Sequence, residues 1–194
     1  MKVGLFFGSF NPPHIGHTAI AEFVLHSMKA DEIWLVVSPQ NPFKESTDLL
    51  AEADRFRLVK RALDGHESIK PCDFEFDLPR PSYTVDTMRS MREKHPEHEF
   101  FLIMGSDNIL GIKGWKNHEE LLSAHPIAVY PRPGYPIDAY FLNELPGDVV
   151  LTEAPSLDLS STGIRTSIAE GVPCRFLMRE AVWRAVEREG YYRS

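Results

Sequence analysis

The sequence is poor in cysteine: Cys72 and Cys174 are far apart and form no CxxC pair. This excludes a disulfide framework and a cysteine-built zinc site, and it fits a reducing compartment. Long hydrophobic runs are missing too; none approaches the roughly 18–20 residues that a membrane-spanning helix needs. A signal peptide is not expected, because Lys2 to Phe7 already reads as a strand. A cytoplasmic protein is the plain expectation. Basic charge is also scarce, with 21 Lys and Arg against 28 Asp and Glu and a formal net charge of −7. A nonspecific nucleic-acid binder needs a basic face to displace counterions, so that class is disfavoured. A small anionic ligand is not, since a local pocket can be positive on an acidic protein. No repeat, low-complexity tract or linker divides the chain.

What is present is enough apolar material for a core, 43% of 194 residues, in an alternating pattern. Val3–Phe7, Ile33–Val37, Phe100–Met104 and Ile127–Tyr130 read as buried strands, with Val149–Leu151 a weaker one. Ile69–Phe76 reads as a strand or a pair of strands. Between them, Ile20, Phe23, Val24 and Met28 recur at helical spacing, as do Phe56, Val59 and Leu63, and then Val85, Met88 and Met91. Alternating strands and helices predict right-handed crossovers and a parallel sheet covered on both faces. Such sheets bind ligands beyond the carboxyl ends of the strands where strand order reverses. The chemistry is therefore expected just after the first and fourth strands. The proline-rich stretch from Pro131 to Pro146 reads as a long surface loop. Ser160–Glu170 and Arg179–Glu189 read as closing helices, with Gly190 as a C-cap.

Directly after the first strand comes Gly8-Ser9-Phe10-Asn11-Pro12-Pro13-His14-Ile15-Gly16-His17. It stands where a phosphate-binding turn would, but it is neither GxGxxG nor a Walker loop. Gly8 allows close approach of a ligand to the backbone, and the two prolines stiffen the turn. His14 and His17 are three apart, so one helical turn puts both imidazoles on one side, with Gly16 leaving room between them. Imidazole donors and unpaired backbone N–H groups at a helix start suit a phosphate. A lone histidine here would more often be structural; a pair in this frame argues for function.

This segment resembles the signature of the nucleotidylyltransferase superfamily, Gly-x-Phe-x-Pro-x-His-x-Gly-His, with every fixed position met. The resemblance implies a Rossmann-like, doubly wound α/β fold with a mainly parallel sheet, helices on both faces and a C-terminal helical segment. It implies one nucleotidylyltransferase domain over 1–194, closed by the helices at about 160–190. It also implies that His14 and His17 contact the phosphates of ATP, with Gly8, Ser9 and Phe10 around them. Leu159-Ser160-Ser161-Thr162-Gly163-Ile164-Arg165 resembles the second signature, Ile-Ser-Ser-Thr-x-Ile-Arg, with Leu159 a mild departure. Capping explains one of its hydroxyls; the family assigns the β- and γ-phosphates to this element, here Ser161, Thr162 and Arg165. Lys44, in Pro42-Phe43-Lys44, matches a loop lysine that the family keeps on the phosphates, although a loop lysine is usually just solvated.

Three further segments narrow the resemblance to bacterial nicotinate-nucleotide adenylyltransferases and extend it over most of the chain. Pro81-Ser82-Tyr83-Thr84-Val85-Asp86-Thr87 opens a helix; Tyr83 and Thr84 would offer N–H groups and a hydroxyl to the nicotinate carboxylate, which gains more there than a neutral carboxamide. Ser82 or Thr84 as a plain helix cap is the ordinary alternative. Gly105-Ser106-Asp107-Asn108 follows the fourth strand; the resemblance puts Gly105 and Asp107 with the ATP-binding residues, where Asp107 would hold ribose hydroxyls or merely cap a helix. Trp115, between Gly114 and Lys116, offers a face for a pyridine ring. Val129-Tyr130-Pro131-Arg132-Pro133-Gly134 completes the set, with no role assigned to Arg132. His95 and His98, flanking Pro96 and Glu97, read as a solvated turn rather than metal ligands. The implied metal is Mg2+ carried with ATP, held by phosphates and water.

The implied reaction transfers AMP from ATP to nicotinate mononucleotide, giving deamido-NAD and pyrophosphate by direct in-line attack. The expected partners are these small molecules, with no nucleic acid and no membrane; the oligomeric state is left open, a homo-oligomer included. Three rivals share parts of the pattern. Pantetheine-phosphate adenylyltransferases and cytidylyltransferases share the phosphate elements but not the Tyr83–Thr84 and Trp115 segments. Class I aminoacyl-tRNA synthetases share His14-Ile15-Gly16-His17 but add a Lys-Met-Ser-Lys-Ser loop that is missing here. A non-catalytic nucleotide sensor would need no intact phosphate residues, and turnover separates it from an enzyme.

Overall fold

The computed structural model describes residues 1–39 and 49–193. Six strands form one parallel sheet: β1 (Lys2–Gly8), β2 (Glu32–Val37), β3 (Ile69–Cys72), β4 (Glu99–Gly105), β5 (Ile127–Tyr130) and β6 (Val149–Leu151), in the order β3-β2-β1-β4-β5-β6. Strand order reverses between β1 and β4, which pair directly from Lys2↔Glu99 to Phe6↔Ile103. Helices α1 (Ile15–Ser27) and α2 (Glu52–Ala62) follow β1 and β2. Beyond β3 come α3 (Thr84–Lys94), then α4 (Ser106–Leu110) and α5 (His118–Ala124), α6 (Ala139–Asn143), α7 (Ser161–Ala169) and α8 (Glu180–Glu189). Among the described residues, no helix is long and apolar enough to cross a membrane.

Successive strand side chains point to opposite faces, and the two faces bury different partners. Phe6, Ile33, Leu35, Val37, Phe101 and Ile103 pack with Ile20 and Val24 of α1 and Val59 of α2. Val3, Leu5, Val36, Leu102 and Met104 pack on the other side with Val85, Met88 and Met91 of α3 and with Leu121 and Leu122 of α5. Buried strands without polar alternation are what a sheet covered on both faces requires. A third cluster joins Leu58 and Ala62 of α2 to Ile164 and Ile168 of α7 and to Val182, Ala185 and Val186 of α8. The closing helices therefore lean on α2, whose other face carries Val59 towards the sheet.

Two sequence expectations need correction. Strand β3 stops at Cys72, and Phe74–Asp77 is a 3-10 turn rather than more strand. Phe74 packs against the α3 side of the core and Phe76 against the α1 side, so apolar content there came from anchoring a turn. The stretch from Pro131 to Pro146 is not all loop: Asp138 caps α6 by accepting from the Phe141 N–H at 2.8 Å. Gly190 does end α8 in the left-handed region, at φ 68°, as its position after Glu189 predicted.

Candidate active site

The switch point holds a cavity of about 250 Å³ beyond the carboxyl ends of β1 and β4. Gly8, Ser9, Tyr83, Thr84, Gly105, Asp107 and Trp115, all singled out in the sequence, line it. The start of α3 forms one wall. Its N-cap is Tyr83, with extended backbone and no side-chain cap, so Thr84 lies in the first turn and is not a capping residue. Trp115 is half-buried against the α3-side core and leaves part of its indole exposed to the cavity. Asp107 sits one residue inside α4, whose N-cap is Gly105, so capping does not account for it. A Cβ at Gly105 would come within 2.3 Å of Asp107 Oδ1, so this carboxylate approaches the strand end only because position 105 is glycine.

His14, His17, Ser161, Thr162 and Arg165 do not line that cavity; they gather around the turn beside it. Phe10 adopts φ 45° and is fully buried, its ring edge-on to Phe6 at 5.9 Å and to His17 at 4.9 Å. Only its backbone can serve a ligand. The side chains of His14 and His17 stack, with centroids 3.7 Å apart. A Cβ at Gly16 would lie 3.0 Å from His14 Nδ1, which is why the smallest residue stands between the two histidines. His17 Nδ1 accepts from the His14 N–H at 3.2 Å. That bond selects the tautomer whose proton sits on Nε2, a donor. Burial, aided by the Arg132 guanidinium, lowers the His14 pKa to about 4. His14 can thus remain neutral beside its stacked partner.

Helix α7 docks on this turn. Its N-cap Ser160 accepts from the Gly163 N–H at 3.1 Å. The Ser161 hydroxyl donates to Pro12 O at 2.8 Å, and Arg165 Nη1 donates to Asn11 O at 3.0 Å, with Nη2 3.4 Å from Thr162 Oγ1. With its proton given to Pro12, the Ser161 side chain offers an anion only lone pairs; what remains there for a phosphate is backbone N–H and the Arg165 fork. Lys44 lies outside the described residues.

Four residues outside the sequence-predicted set shape the site. Arg132 lies 4.0 Å from Asp107 Oδ1, donates its backbone N–H to Ser106 Oγ at 2.9 Å and acts electrostatically on His14. Its place just after β5 was the available signal. Arg55 is fully buried and bonds backbone carbonyls of three segments: Ser9 at 2.7 Å, Ser38 and Pro39 at 2.8 and 2.9 Å, and Leu50 at 3.0 Å. On an amphipathic helix an arginine reads as solvated face, so no sequence signal marked it. Glu75 is buried against the cavity, accepting from Thr87 at 2.7 Å and Ser82 at 3.2 Å; burial raises its pKa against those bonds. Tyr192 reaches Asn11 from the far end of the chain.

At the opposite end of the sheet, before β4, His95, Glu97 and His98 hold donor atoms within 4.8 Å of one another. The turn is less solvated than the sequence predicts: the His98 side chain is 10% exposed and packs edge-on to Trp34 and Phe100. The two imidazoles are stacked and 4° from parallel. An imidazole binds an ion near its own plane, so one of these two near-parallel rings would have to turn before both could share an ion.

Comparison with known proteins places this chain in a family. A model of the cytidylyltransferase-like family matches residues 5–167, and the chain belongs to that family. A probable nicotinate-nucleotide adenylyltransferase of Cytophaga hutchinsonii is 44% identical over 99% of this chain and 98% of its own length; one of Bacteroides fragilis is 42% identical over 95% and 90%. Within the family, the chain belongs to the nicotinate-nucleotide adenylyltransferases. Among solved structures, the nicotinic acid mononucleotide adenylyltransferase of Plasmodium falciparum complexed with NaAD superposes with a TM-score of 0.85 at 20% identity, covering 98% of this chain and 97% of that one. At that identity the likeness speaks for the fold.

Proposed function

We propose that the protein transfers AMP from ATP to nicotinate mononucleotide, releasing pyrophosphate and deamido-NAD. The observation that carries this reading is the adjacency of two differently built halves at one switch point. One is a cavity walled by the start of α3 and by Trp115; the other is a turn bearing stacked histidines and the Arg165 fork. A pyridine ring fits the first, with its carboxylate towards the Tyr83–Thr84 backbone. A triphosphate fits the second. At about 250 Å³ the cavity is just below the ~300–1,000 Å³ of typical small-molecule pockets, so the phosphate end of the acceptor reaches out towards the turn.

The 5′-phosphate of the acceptor is a nucleophile at neutral pH without a base. An oxygen of it bonds the α-phosphorus of ATP in line while the α–β bridging bond breaks and its electron pair leaves with pyrophosphate. The protein's task is alignment and charge stabilisation. His14 and His17 serve oxygens at the α-phosphorus as neutral donors. Arg165, the start of α7 and Lys44 serve the leaving group. Asp107, in the cavity lining, would hold ribose hydroxyls, and Arg132, 4.0 Å from it, would serve a phosphate. Magnesium enters as part of the MgATP substrate. The test is to incubate the protein with MgATP and a panel of phosphorylated acceptors, following pyrophosphate and the dinucleotide. Pyrophosphate release with phosphopantetheine but not with nicotinate mononucleotide would move the protein to another branch.

A further inference from the structure

The turn that carries His14 and His17 is held by a residue 181 positions from Asn11. Asn11 is fully buried, and bonds from distant segments meet on it: its backbone oxygen accepts from Arg165 at 3.0 Å, and its side-chain oxygen accepts from the Leu50 N–H at 3.3 Å and the Tyr192 hydroxyl at 2.8 Å. After Gly190 turns the chain through the left-handed region, Tyr192 also lies at φ 64°, a conformation that non-glycine residues rarely hold without compensation. Here it aims the phenol inward, into the field of both Arg165 and Arg55. Burial raises the phenol's pKa, so it stays a donor.

We propose that Tyr192 is a positioning residue for ATP: through Asn11 it fixes the turn on which the Arg165 fork and the two histidines are registered. The inference rests on the ATP-binding part of the function proposed above. Asn11 offers Tyr192 its side chain and Arg165 its backbone, so a backbone shift at Asn11 once the phenol no longer anchors its side chain moves the acceptor on which Arg165 is braced. The acceptor cavity, walled by α3 and Trp115, contains neither Asn11 nor Tyr192.

The test compares wild type with Tyr192→Phe, which keeps the ring and removes one hydroxyl. MgATP affinity is read by calorimetry, KM for each substrate by turnover, and Tm by thermal unfolding. We expect Kd and KM for ATP to rise about three- to ten-fold, the scale of one neutral hydrogen bond, with KM for nicotinate mononucleotide unchanged. In an Arg165→Ala background the same change should cost ATP affinity little more, because the two act through one residue. Tyr191→Phe, which removes a neighbouring hydroxyl, should leave ATP affinity alone. The inference is overturned if Tyr192→Phe binds ATP like wild type. It is equally overturned if losses are the same for both substrates and track Tm, or add fully to those of Arg165→Ala. A wild type that binds MgATP but ignores nicotinate mononucleotide would sink the acceptor assignment, while the ATP affinities still decide the role of Tyr192.

Discussion

His17→Ala removes a donor whose orientation the fold specifies closely. Its Nδ1 is occupied by the His14 N–H at 3.2 Å, its ring is stacked on His14 at 3.7 Å and edge-on to Phe10 at 4.9 Å, and the proton is therefore on Nε2. Loss of one such preorganised donor costs about 3–4 kcal/mol in the transition state, or roughly 10²–10³ in kcat. KM for nicotinate mononucleotide should change little, since His17 is not part of the cavity lining. Two polar replacements separate catalysis from architecture. Gln can place its amide nitrogen near the Nε2 position, whereas Asn reaches only the Nδ1 position and restores the bond to the His14 N–H. The assay is steady-state pyrophosphate release under saturating MgATP, with circular dichroism to check folding. Gln should recover part of the rate and Asn almost none. A folded His17→Ala with near-normal kcat would refute the donor role, and recovery by Asn equal to that by Gln would reduce His17 to a brace.

Arg165→Ala should weaken MgATP and pyrophosphate binding, with Lys restoring only part because the bidentate fork is lost; a fall in Tm with unchanged ATP affinity would instead mark a structural residue. Stability should fall on acidification from about pH 6.5 towards 4. His14 and His125 both have folded pKa values lowered to about 4, so the unfolded chain binds more protons in that window. Each contributes at most about 3 kcal/mol, opposed in part by Glu75, whose raised pKa favours the folded state at low pH. Urea unfolding at pH 7, 5.5 and 4.5 measures this, and equal midpoints would contradict it. For the acceptor, kcat/KM for nicotinate mononucleotide should exceed that for its amide by about two orders of magnitude, the scale of a charge-assisted hydrogen bond. Thr84→Ala should erode that ratio only partly, while Trp115→Ala should lower both values and keep the ratio; equal use of acid and amide by the wild type would refute the carboxylate site.

What the sequence made legible is whatever follows from local pattern. Buried strands such as Phe100–Met104 announce themselves as apolar runs, and the site falls after β1 and β4 because alternation of strand and helix already implies a switch point there. Gly16 between two histidines is also local, since three residues settle the steric question. Arg55, Tyr192 and Arg132 are different in kind. Arg55 has the sequence context of a surface arginine and becomes a buried one only because the loops after β1 and β2 converge on it. Tyr192 meets Asn11 through tertiary packing of α7 and α8 on α2. The segment at 69–76 was ambiguous because Phe74 and Phe76 have the i, i+2 spacing of a strand face, whereas in the turn they anchor to opposite sides of the core. The relation of Ser161 to the turn was hidden as well: a hydroxyl read as a phosphate donor spends its proton on Pro12 O.

Arg55 also explains how an irregular turn can be rigid enough for in-line chemistry. Parallel strands end in loops whose carbonyls leave the ladder, and when such loops are buried each unpaired group costs about 1–3 kcal/mol. A carboxylate partner for Arg55 would neutralise the guanidinium but leave those carbonyls unmet. Arg55 instead donates to four backbone carbonyls, from the ends of β1 and β2 and the approach to α2, and the positive charge is retained behind the Ser9–His14 turn. Desolvation lowers the Arg55 pKa from its high ordinary value, yet arginine remains charged, unlike a buried lysine or histidine. The same guanidinium thus fixes the loop backbone and leaves a positive field at its core. With Arg165 braced on Asn11 O, two guanidiniums hold a turn whose His14 is kept neutral by burial. A triphosphate entering that turn meets fixed positive charge and neutral donors, so its binding does not depend on first protonating His14.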